Sequence, residues 1–536
     1  MVRGILSVLS FLVVTLVQAD QIISTSFGKV QGNIAISRDE KIFHQFLGIP
    51  YAKAERFQAP VNPDPWNDVR DATKHGPVCP QIIPNFDDEA SKVFLGSEDC
   101  LNLNVFSPKL PLPDQAKVLL PVMVWFHGGG GDVDGAMNYD PQYYMDTDIV
   151  LVTFNARLGF LGYLNLGNEF ASGNQRLKDQ VLMLKWVQEN IENFGGDPAR
   201  DGSPLMPHMF IRNPIQQAKR YGEQVGCPVE SKEGLLECLK GKRPEDLVLS
   251  FHRWDADLTE NEFLKFGPSL EYTSPENAFM IESPFLSLSE GRISNKVPWI
   301  TSLSFNSGFL AYTSKIITRP SLQQKLNTNI LKVLPRYLDY EVTAKDPDAV
   351  TRKIMEHYFN GEINATNAYQ LVNLITYRYF TGPSVNSGDY YPDHAPTYAL
   401  MNKYVLSNSV SKTFGASCTF GFRVVEGANG DEISFQFPWP INNPGINKSS
   451  DYTLSKNFIQ LLISFAETGK PTKTWGEIKS WLPYHVQKRG GVTIENDGSL
   501  QGHSISKEYI NSHKLWAPMF KNDLAAEFEN PAEESF

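Results

Sequence analysis

Two largely apolar segments mark the N-terminal half of the chain. The first runs from Val118 to Phe126 and leads into His127 and the glycines 128–131, and the second spans 148–155. Continuous apolar runs of this length are typical of strands buried on both faces of a parallel sheet. The glycines predict a turn with bare backbone N–H groups at the carboxyl end of the first strand. Upstream, residues 22–51 alternate apolar and polar side chains, which predicts an antiparallel opening sheet.

Helical periodicity follows the second buried strand. Between Gln180 and Phe194 the apolar residues recur at the spacing of one helix face, and Gly195-Gly196-Asp197-Pro198 ends the pattern. Further helical stretches are predicted within 213–244, 345–369 and 452–469. The pattern contains no internal repeat and no flexible linker, so we expect one large domain over residues 20–521.

The first 19 residues have the pattern of a secretory signal peptide. One base, Arg3, precedes an apolar stretch from Ile5 to Val17, and small residues near Ala19 place the cleavage before Asp20. The stretch is too short to span a bilayer, and no later segment predicts a membrane span or a lipid anchor. We therefore expect a soluble, secreted protein with no membrane anchor.

Composition and charge exclude several classes of protein. The 536 residues are 41% hydrophobic and 12% aromatic, which suffices for a large core and excludes a disordered or fibrous chain. The formal charge of -11 becomes -12 once Arg3 is removed, and no basic patch stands out, so nucleic acid is not an expected partner. Residues 522–536 contain five acids and no base, which predicts a solvated acidic tail.

Three motifs give the chain a family resemblance. Phe46-Leu-Gly-Ile-Pro-Tyr51, Glu98-Asp-Cys-Leu-Asn-Leu-Asn-Val105 and the His127 glycine stretch resemble the type-B carboxylesterase and cholinesterase family, especially its insect juvenile-hormone-esterase-like members. The resemblance implies an α/β-hydrolase fold, in which helices flank a large central, mostly parallel sheet. It also implies that the backbone N–H groups of Gly128 and Gly129 form an oxyanion hole. Near the C-terminus, 481–484 and 514–516 resemble the family's last strands.

Cysteines and sequons fit an extracellular protein. Five cysteines in a secreted chain suggest disulfides with one thiol left over. The resemblance implies the pairs Cys79–Cys100 and Cys227–Cys238, which leaves Cys418 as a free thiol. The sequons at Asn364 and Asn447 predict glycosylated surface loops.

The nucleophile that such a resemblance requires is missing. No G-x-S-x-G occurs in the sequence, although a serine esterase needs that tight strand-to-helix turn. The chain passes from Arg200 to the segment 201–210, which resembles a later part of the family pattern, so the resemblance implies a gap of a few dozen residues that would remove central strands. Ser203, beside a proline, and Ser504, near the C-terminus, lack the required turn and are interpreted as loop serines.

The other two catalytic positions are also substituted. Residues 297–308 resemble the family stretch that carries the catalytic glutamate, and Ser307 occupies its position after Asn306. Residues 426–433 resemble the stretch with the catalytic histidine, and Asn429 stands in its place. Neither serine nor asparagine supplies a carboxylate or a base near pH 7. Of the histidines, only His127 belongs to a recognised motif, with a structural role implied.

The sequence leaves three hypotheses. The first is a secreted, catalytically inactive homologue that binds a small hydrophobic ester, another ligand or an unidentified protein partner. The second is an active carboxylic ester hydrolase, juvenile-hormone-esterase-like, whose nucleophile exon is absent from this sequence. The third is a degenerate product that does not accumulate, because lost central strands leave buried backbone groups unpaired. No cofactor and no metal are expected.

Overall fold

The strands group into two main sheets. The computed structural model describes residues 21–84, 92–112, 118–198, 210–211, 213–253, 266–272, 277–293, 295–309, 311–341, 343–391, 395–407, 409, 427, 430–438, 446, 450–471, 475, 481–485, 490–504 and 512–518. Within these ranges the strands are β1 Gln21–Ser24, β2 Lys29–Ile36, β3 Ile42–Pro50, β4 Arg70–Asp71, β5 Gln81–Pro84, β6 Lys92–Leu95, β7 Asn102–Ser107, β8 Val122–Trp125, β9 Val150–Phe154, β10 Asn165–Asn168, β11 Ala171–Ser172, β12 Trp299–Ser304, β13 Thr397–Asn402, β14 Gly490–Ile494 and β15 Leu500–Ser504.

The helices flank these sheets. Within the described residues they are α1 Gly159–Tyr163, α2 Gln175–Asn190, α3 Pro214–Gln224, α4 Lys232–Gly241, α5 Pro244–Arg253, α6 Pro284–Ser289, α7 Ala311–Thr318, α8 Pro320–Thr328, α9 Ile330–Tyr337, α10 Pro347–Ile354, α11 Gln370–Ile375, α12 Gly382–Tyr390, α13 Asp431–Gln436, α14 Ser450–Thr468 and α15 at 512–518. Short 3₁₀ turns cover Gly129–Gly131, Ala136–Asn138, Pro141–Asp146 and Ile191–Phe194, and π-helical turns cover Met355–Phe359 and Thr376–Thr381. None of the described helices is long and apolar enough to cross a membrane.

The first sheet confirms the predicted antiparallel opening and the second of the two predicted buried strands, whereas β8 alternates buried and partly buried residues. Its order is β1-β2-β3-β7-β9-β8, with β4 beside β2. The pairs are antiparallel up to β7–β9, whereas β8 and β9 run parallel, with Val124 opposite Val152. All five residues of β9 are buried, as predicted for the second buried strand.

The second sheet contains the C-terminal strands in the order β12-β13-β14-β15. β12, β13 and β14 are parallel, and β14 and β15 form an antiparallel hairpin. The whole arrangement is mixed, because β8–β9, β12–β13, β13–β14 and the short β2–β4 pair are parallel and the other described pairs are antiparallel.

The two sheets have open edges where an uninterrupted sheet would continue. Among the described residues, no strand pairs with β8 on the side away from β9 or with β12 on the side away from β13. Only an isolated parallel bridge joins Leu120 to Gly196, just before the predicted gap after Arg200. Met123 and Trp125 are partly buried, and so are the first five residues of β12. These strands therefore lack the full burial that central strands of a parallel sheet have.

One hydrophobic cluster packs against both sheets. It contains Phe106 and Leu151 from the first sheet, Leu400 and Val492 from the second, and Phe458 from α14. A second cluster lies on the opposite face of the first sheet, where α2 packs with Trp186 and Val187. The shared cluster packs against both sheets, whose described strands do not pair with each other.

Local predictions are confirmed in part. The helix predicted from Gln180 begins earlier, at Gln175. The apolar pattern missed its first turn because Gln175 and Arg176 are polar although they are buried. The predicted C-terminal strands are wrong: 481–485 has no regular structure and 512–518 is helical. β14 and β15 provide the last strands instead, since their backbones pair directly with each other.

Both predicted disulfides are present. Cys79–Cys100 spans 21 residues and Cys227–Cys238 spans 11. Asn364 lies in an exposed turn, where its Oδ1 accepts hydrogen bonds from the backbone N and the Oγ1 of Thr366. Cys418, Asn447, the signal peptide and the acidic tail lie outside the described residues.

Candidate active site

The glycine loop after β8 has a conformation that requires glycine. Gly129, Gly130 and Gly131 have φ angles of 78°, 65° and 79° and form one 3₁₀ turn. These values lie in the left-handed region, which other residues enter only at a cost. Gly128, Gly129 and Gly130 are exposed, so the backbone of the predicted oxyanion loop faces solvent. Backbone N–H groups in such a loop can hold a negatively charged oxygen.

His127 is a buried neutral side chain beneath this loop. Burial, together with the positive charge of Arg176, holds its pKa well below the usual value. Its Nδ1 lies 3.3 Å from Gly128 O. Arg176 also donates to the carbonyls of Ala156 and Arg157, at 3.0 Å each. His127 and Arg176 therefore lie in the packing under the loop, in agreement with the structural role that the resemblance implies.

Sequence reasoning missed an acid that supports the loop. Asp134 has a φ of 94°, and its carboxylate accepts hydrogen bonds from Tyr139 Oη, Asn138 Nδ2 and Gly135 N. Gln81 brackets the Asp134 backbone, accepting from its N–H at 2.8 Å and donating to its carbonyl at 2.9 Å. Burial raises the pKa of Asp134, while the three donors oppose that shift. The Asp-Gly dipeptide at 134–135 was the sequence signal of a special turn.

Ser307 occupies a closed turn after β12. The side chain is buried, and its Oγ donates to Ser304 O at 2.6 Å. Gly308 N donates to Thr376 Oγ1 at 2.8 Å, and a Cβ on Gly308 would lie 2.3 Å from Val372 O, so only glycine fits there. The Ser307 hydroxyl carries no charge, and it donates its proton in the hydrogen bond to Ser304 O within the same turn. It therefore cannot stabilise an imidazolium as a carboxylate does.

The segment that contains Asn429 begins beside this turn. Asn306 N donates to Gly427 O at 2.8 Å, and Gly427 N donates to Lys403 O at 2.8 Å. Asn429 itself lies outside the described residues, and the chain resumes at Gly430, which has a φ of 90° and precedes α13. The structure thus brings the Ser307 turn and the start of the Asn429 segment together, as the resemblance implies for a carboxylate and its histidine.

Glu432 is a second acid that sequence reasoning did not single out as functional. Ser304 Oγ donates to its Oε2 at 2.5 Å. Burial raises the pKa of Glu432 to about 7, against the opposing hydrogen bond from Ser304. Its neighbour Asp431 is buried and accepts from Ser409 Oγ at 2.6 Å. The Glu432 carboxylate therefore contacts the Ser307 turn through a hydrogen bond from Ser304, the residue at the start of that turn.

The two parts of the candidate site meet through aromatic contacts. The Trp125 ring, at the end of β8, lies 4.7 Å from that of Phe437, which follows α13. Tyr139 lies 5.1 Å from each of these rings. The end of β8, which leads into the glycine loop, and the residue after α13 therefore meet in one aromatic cluster.

The alternative serines gain no support. Ser504 is the last residue of β15, and its backbone pairs antiparallel with Gly490 in the terminal hairpin. A nucleophile elbow needs a turn between a strand and a helix instead. Ser203 lies outside the described residues. Groups of three or more potential metal ligands are absent from the part of the chain that the structure describes.

The mixed sheet, its flanking helices and the glycine loop after a parallel strand define an α/β-hydrolase. The model of the carboxylesterase family matches residues 19–200 and 199–512, so the chain belongs to the carboxylesterase family. The match is split at 199–200, beside the gap predicted after Arg200. The match confirms the family resemblance that the sequence motifs indicate.

Individual relatives cover nearly the whole chain. Venom carboxylesterase-6 of Apis mellifera is 27% identical over 546 residues, covering 92% of this chain and 95% of that protein. Juvenile hormone esterase of Tribolium castaneum is 29% identical over 541 residues, covering 88% and 87%. Both alignments are longer than the 536 residues of this chain, so each relative contains residues that this chain lacks.

A solved structure has the same fold. The crystal structure of juvenile hormone esterase from Manduca sexta, with OTFP covalently attached, superposes with a TM-score of 0.79 at 20% identity. The match covers 94% of this chain and 100% of that one. At this identity the likeness establishes the fold alone.

Proposed function

We propose that this carboxylesterase-family protein is a secreted binding protein without ester hydrolase activity. The observation that carries the proposal is Ser307, buried and hydrogen-bonded within its own turn at the position where the family resemblance expects a glutamate. The absence of G-x-S-x-G and the presence of Asn429 at the histidine position point the same way. A serine hydrolase without nucleophile, base and carboxylate keeps only the contribution of its oxyanion hole and substrate binding.

The retained scaffold supports a binding role. The glycine loop keeps its left-handed turn and its supporting acid Asp134. The backbone N–H groups of such a loop can still donate hydrogen bonds to a carbonyl or carboxylate oxygen of a ligand. The family resemblance favours a small hydrophobic ester or a related ligand. A protein partner remains an alternative within this proposal.

The gap after Arg200 favours a second candidate, an esterase whose nucleophile exon is missing from this sequence. The family match breaks at 199–200, and β8 and β12 each have one edge that pairs with no other strand among the described residues. A restored exon would supply a serine and the missing strands. It would not supply a base, because Ser307 and Asn429 lie far from the gap in sequence. Sequencing the native transcript across the codons for Arg200 and Gly202 decides whether the gap is real.

Hydrolysis by the secreted protein tests the proposal. The full-length chain is expressed in insect cells and purified from the medium, with the Apis mellifera relative prepared in the same way as the active reference. We expect kcat/KM for p-nitrophenyl acetate to be at least about 10⁴-fold lower than that of the reference, the scale of losing triad members. A rate within tenfold of the reference would overturn the proposal, and failure to find folded, glycosylated protein in the medium would favour a degenerate product.

A further inference from the structure

The short helix α15 at 512–518 is docked on an apolar cluster of its own, distinct from the two clusters that pack on the sheets. Trp516 is fully buried in this cluster, and Leu515 is partly buried against it. The ring centroids of Trp516 and Tyr340 lie 6.4 Å apart. Isolated helices of fewer than about 12 residues are marginal in water. A helix as short as α15 therefore depends on this docking for its stability.

Trp516 contacts two π-helical turns. The first covers Met355–Phe359, and the second, Thr376–Thr381, interrupts the helix between α11 and α12. Trp516 Nε1 donates to Tyr358 Oη in the first turn at 3.2 Å. The Arg378 guanidinium in the second turn lies 5.1 Å from the centroid of the Trp516 ring, within the range of a cation–π attraction. One side chain of α15 thus contacts both turns, and π-helical turns are frequent at functional sites.

Two further contacts fix the turn at 376–381. His513 Nδ1, also on α15, lies 2.9 Å from Tyr377 Oη. The buried Arg378 donates from its Nε to Leu338 O at 2.8 Å. The position of this turn is therefore set by α15 on one side and by the residue that follows α9 on the other.

The same turn is in direct contact with the Ser307 turn. Thr376, its first residue, accepts a hydrogen bond at Oγ1 from Gly308 N at 2.8 Å. A Cβ on Gly308 would lie only 2.6 Å from Thr376 N, so the two backbones touch. Interiors packed this closely transmit a displacement to their neighbours. A shift of the turn at 376–381 therefore disturbs the Ser307 turn.

We propose that α15 is a latch whose release, without unfolding of the two sheets, frees the turn at 376–381 and opens the Ser307 turn. Segments of a native protein can open as units at a lower free energy than global unfolding. The opening also removes the fixed position of Asn306, whose N–H donates to Gly427 O at 2.8 Å at the start of the Asn429 segment. The latch thus controls access to the former catalytic positions, whether or not the protein hydrolyses esters.

Hydrogen–deuterium exchange of the full-length secreted protein, measured by mass spectrometry of its peptides, tests this proposal. The reporter is the segment 304–309, which contains the Gly308 amide. Trp516→Ala should speed exchange of this segment by at least about tenfold, because α15 loses its largest buried side chain. Trp186→Ala, the matched control, removes a buried tryptophan from the cluster between α2 and the first sheet. It should speed exchange of β9, which opens with the whole fold, and leave 304–309 unchanged within about twofold.

Two results would overturn the proposal. One is unchanged exchange of 304–309 in Trp516→Ala. The other is equal acceleration of 304–309 in both variants, since the Ser307 turn would then open only with the whole fold. If either variant does not fold, exchange of the unmodified protein at low urea concentrations takes its place. We then expect 304–309, 376–381 and 512–518 to exchange through one shared opening with a smaller urea dependence than β9, and a separate opening of 512–518 would refute the latch.

Discussion

At the residue scale, the Ser307 turn and the Asn429 segment can be tested as a former catalytic pair. Ser307→Glu places a carboxylate at a side chain that is 2% exposed, and we expect the free energy of unfolding to fall by about 3–5 kcal/mol. Adding Asn429→His should recover part of this loss, with a coupling of about 0.5–3 kcal/mol, because the imidazole can pair with the new carboxylate. Urea denaturation of the two single variants and the double variant measures the coupling.

Ser307→Ala is the control for this cycle. It removes only the hydrogen bond to Ser304 O, so we expect a loss of about 1 kcal/mol. If Ser307→Glu is as stable as Ser307→Ala and shows no coupling with Asn429→His, the two positions are not the former carboxylate and base.

Glu432 should make stability depend on pH. Its folded-state pKa of about 7 lies above the ordinary value of 4.5, so the folded state binds the proton more tightly than the unfolded state. Ionisation therefore destabilises the fold as pH rises from about 5 to 8, by no more than about 3 kcal/mol. Glu432→Gln should be more stable than the unmodified protein at pH 8 and should lose this part of the pH dependence in urea denaturation.

Substitution of an exposed acid is the control that distinguishes the effect of the Glu432 carboxyl on the pH dependence of stability from a mere change in net charge. Glu467→Gln, on α14, should leave the pH dependence unchanged, because that side chain is exposed. Parallel stability curves for Glu432→Gln and the unmodified protein between pH 5 and 8 would show that the Glu432 carboxyl is not perturbed.

At the element scale, the glycine loop depends on its left-handed turn. Gly129→Ala and Gly130→Ala both force a side chain into the left-handed region, which costs about 1–2 kcal/mol each. A Cβ at Gly129 also lies 3.1 Å from Asp134 Cβ, whereas a Cβ at Gly130 meets nothing within 4 Å. Gly129→Ala should therefore lower the denaturation midpoint more than Gly130→Ala. Equal effects would mean that contact with Asp134 does not constrain the loop.

The sequence predicted the elements whose signal is local. β8 and β9 follow from continuous apolar runs, and the left-handed glycines follow from the glycine cluster itself. The first turn of α2 was missed because its buried polar side chains depend on distant partners: Gln175 donates to Phe57 O, and Asp179 pairs with Arg157. The stretch 481–485 was misassigned because its resemblance to a family strand carried no pairing information.

For the candidate site, the sequence predicted which positions belong to it but not the contacts that those residues make. The resemblance located Gly128, Ser307 and Asn429 from motifs. It could not supply the Glu432 contact with Ser304, since these residues lie 128 positions apart. The hydrogen bond from Ser307 to Ser304 is local, but it depends on a backbone turn that the motif did not specify. The support of Asp134 by Gln81, 53 positions away, was invisible for the same reason.

At the scale of the whole molecule, Arg38 links the N-terminal part of the fold to α14. The Arg38 Nε donates to Asp146 at 2.8 Å, and its Nη1 donates to Ser455 on α14 at 2.9 Å. Its guanidinium lies 4.2 Å from the centroid of the Tyr143 ring and 4.7 Å from that of Tyr452. Because the described strands of the two sheets do not pair with each other, this buried contact and the shared apolar cluster hold them together.

Loss of Arg38 should therefore weaken the entire fold. Arg38→Ala leaves the fully buried Asp146 carboxylate without its guanidinium partner, and we expect the free energy of unfolding to fall by about 3–5 kcal/mol. Arg70→Ala, which removes an exposed arginine lying over the Trp66 ring, should cost less than about 1 kcal/mol. Equal losses in chemical denaturation would contradict a special role for Arg38.

The central claim is that this member of the carboxylesterase family has no working nucleophile. Intact-mass spectrometry of the purified secreted protein after treatment with a fluorophosphonate tests it directly, because the reagent adds covalently to an activated serine. We predict no adduct under conditions in which the Apis mellifera relative is fully labelled. One stoichiometric adduct that maps to a serine of this chain would contradict the account.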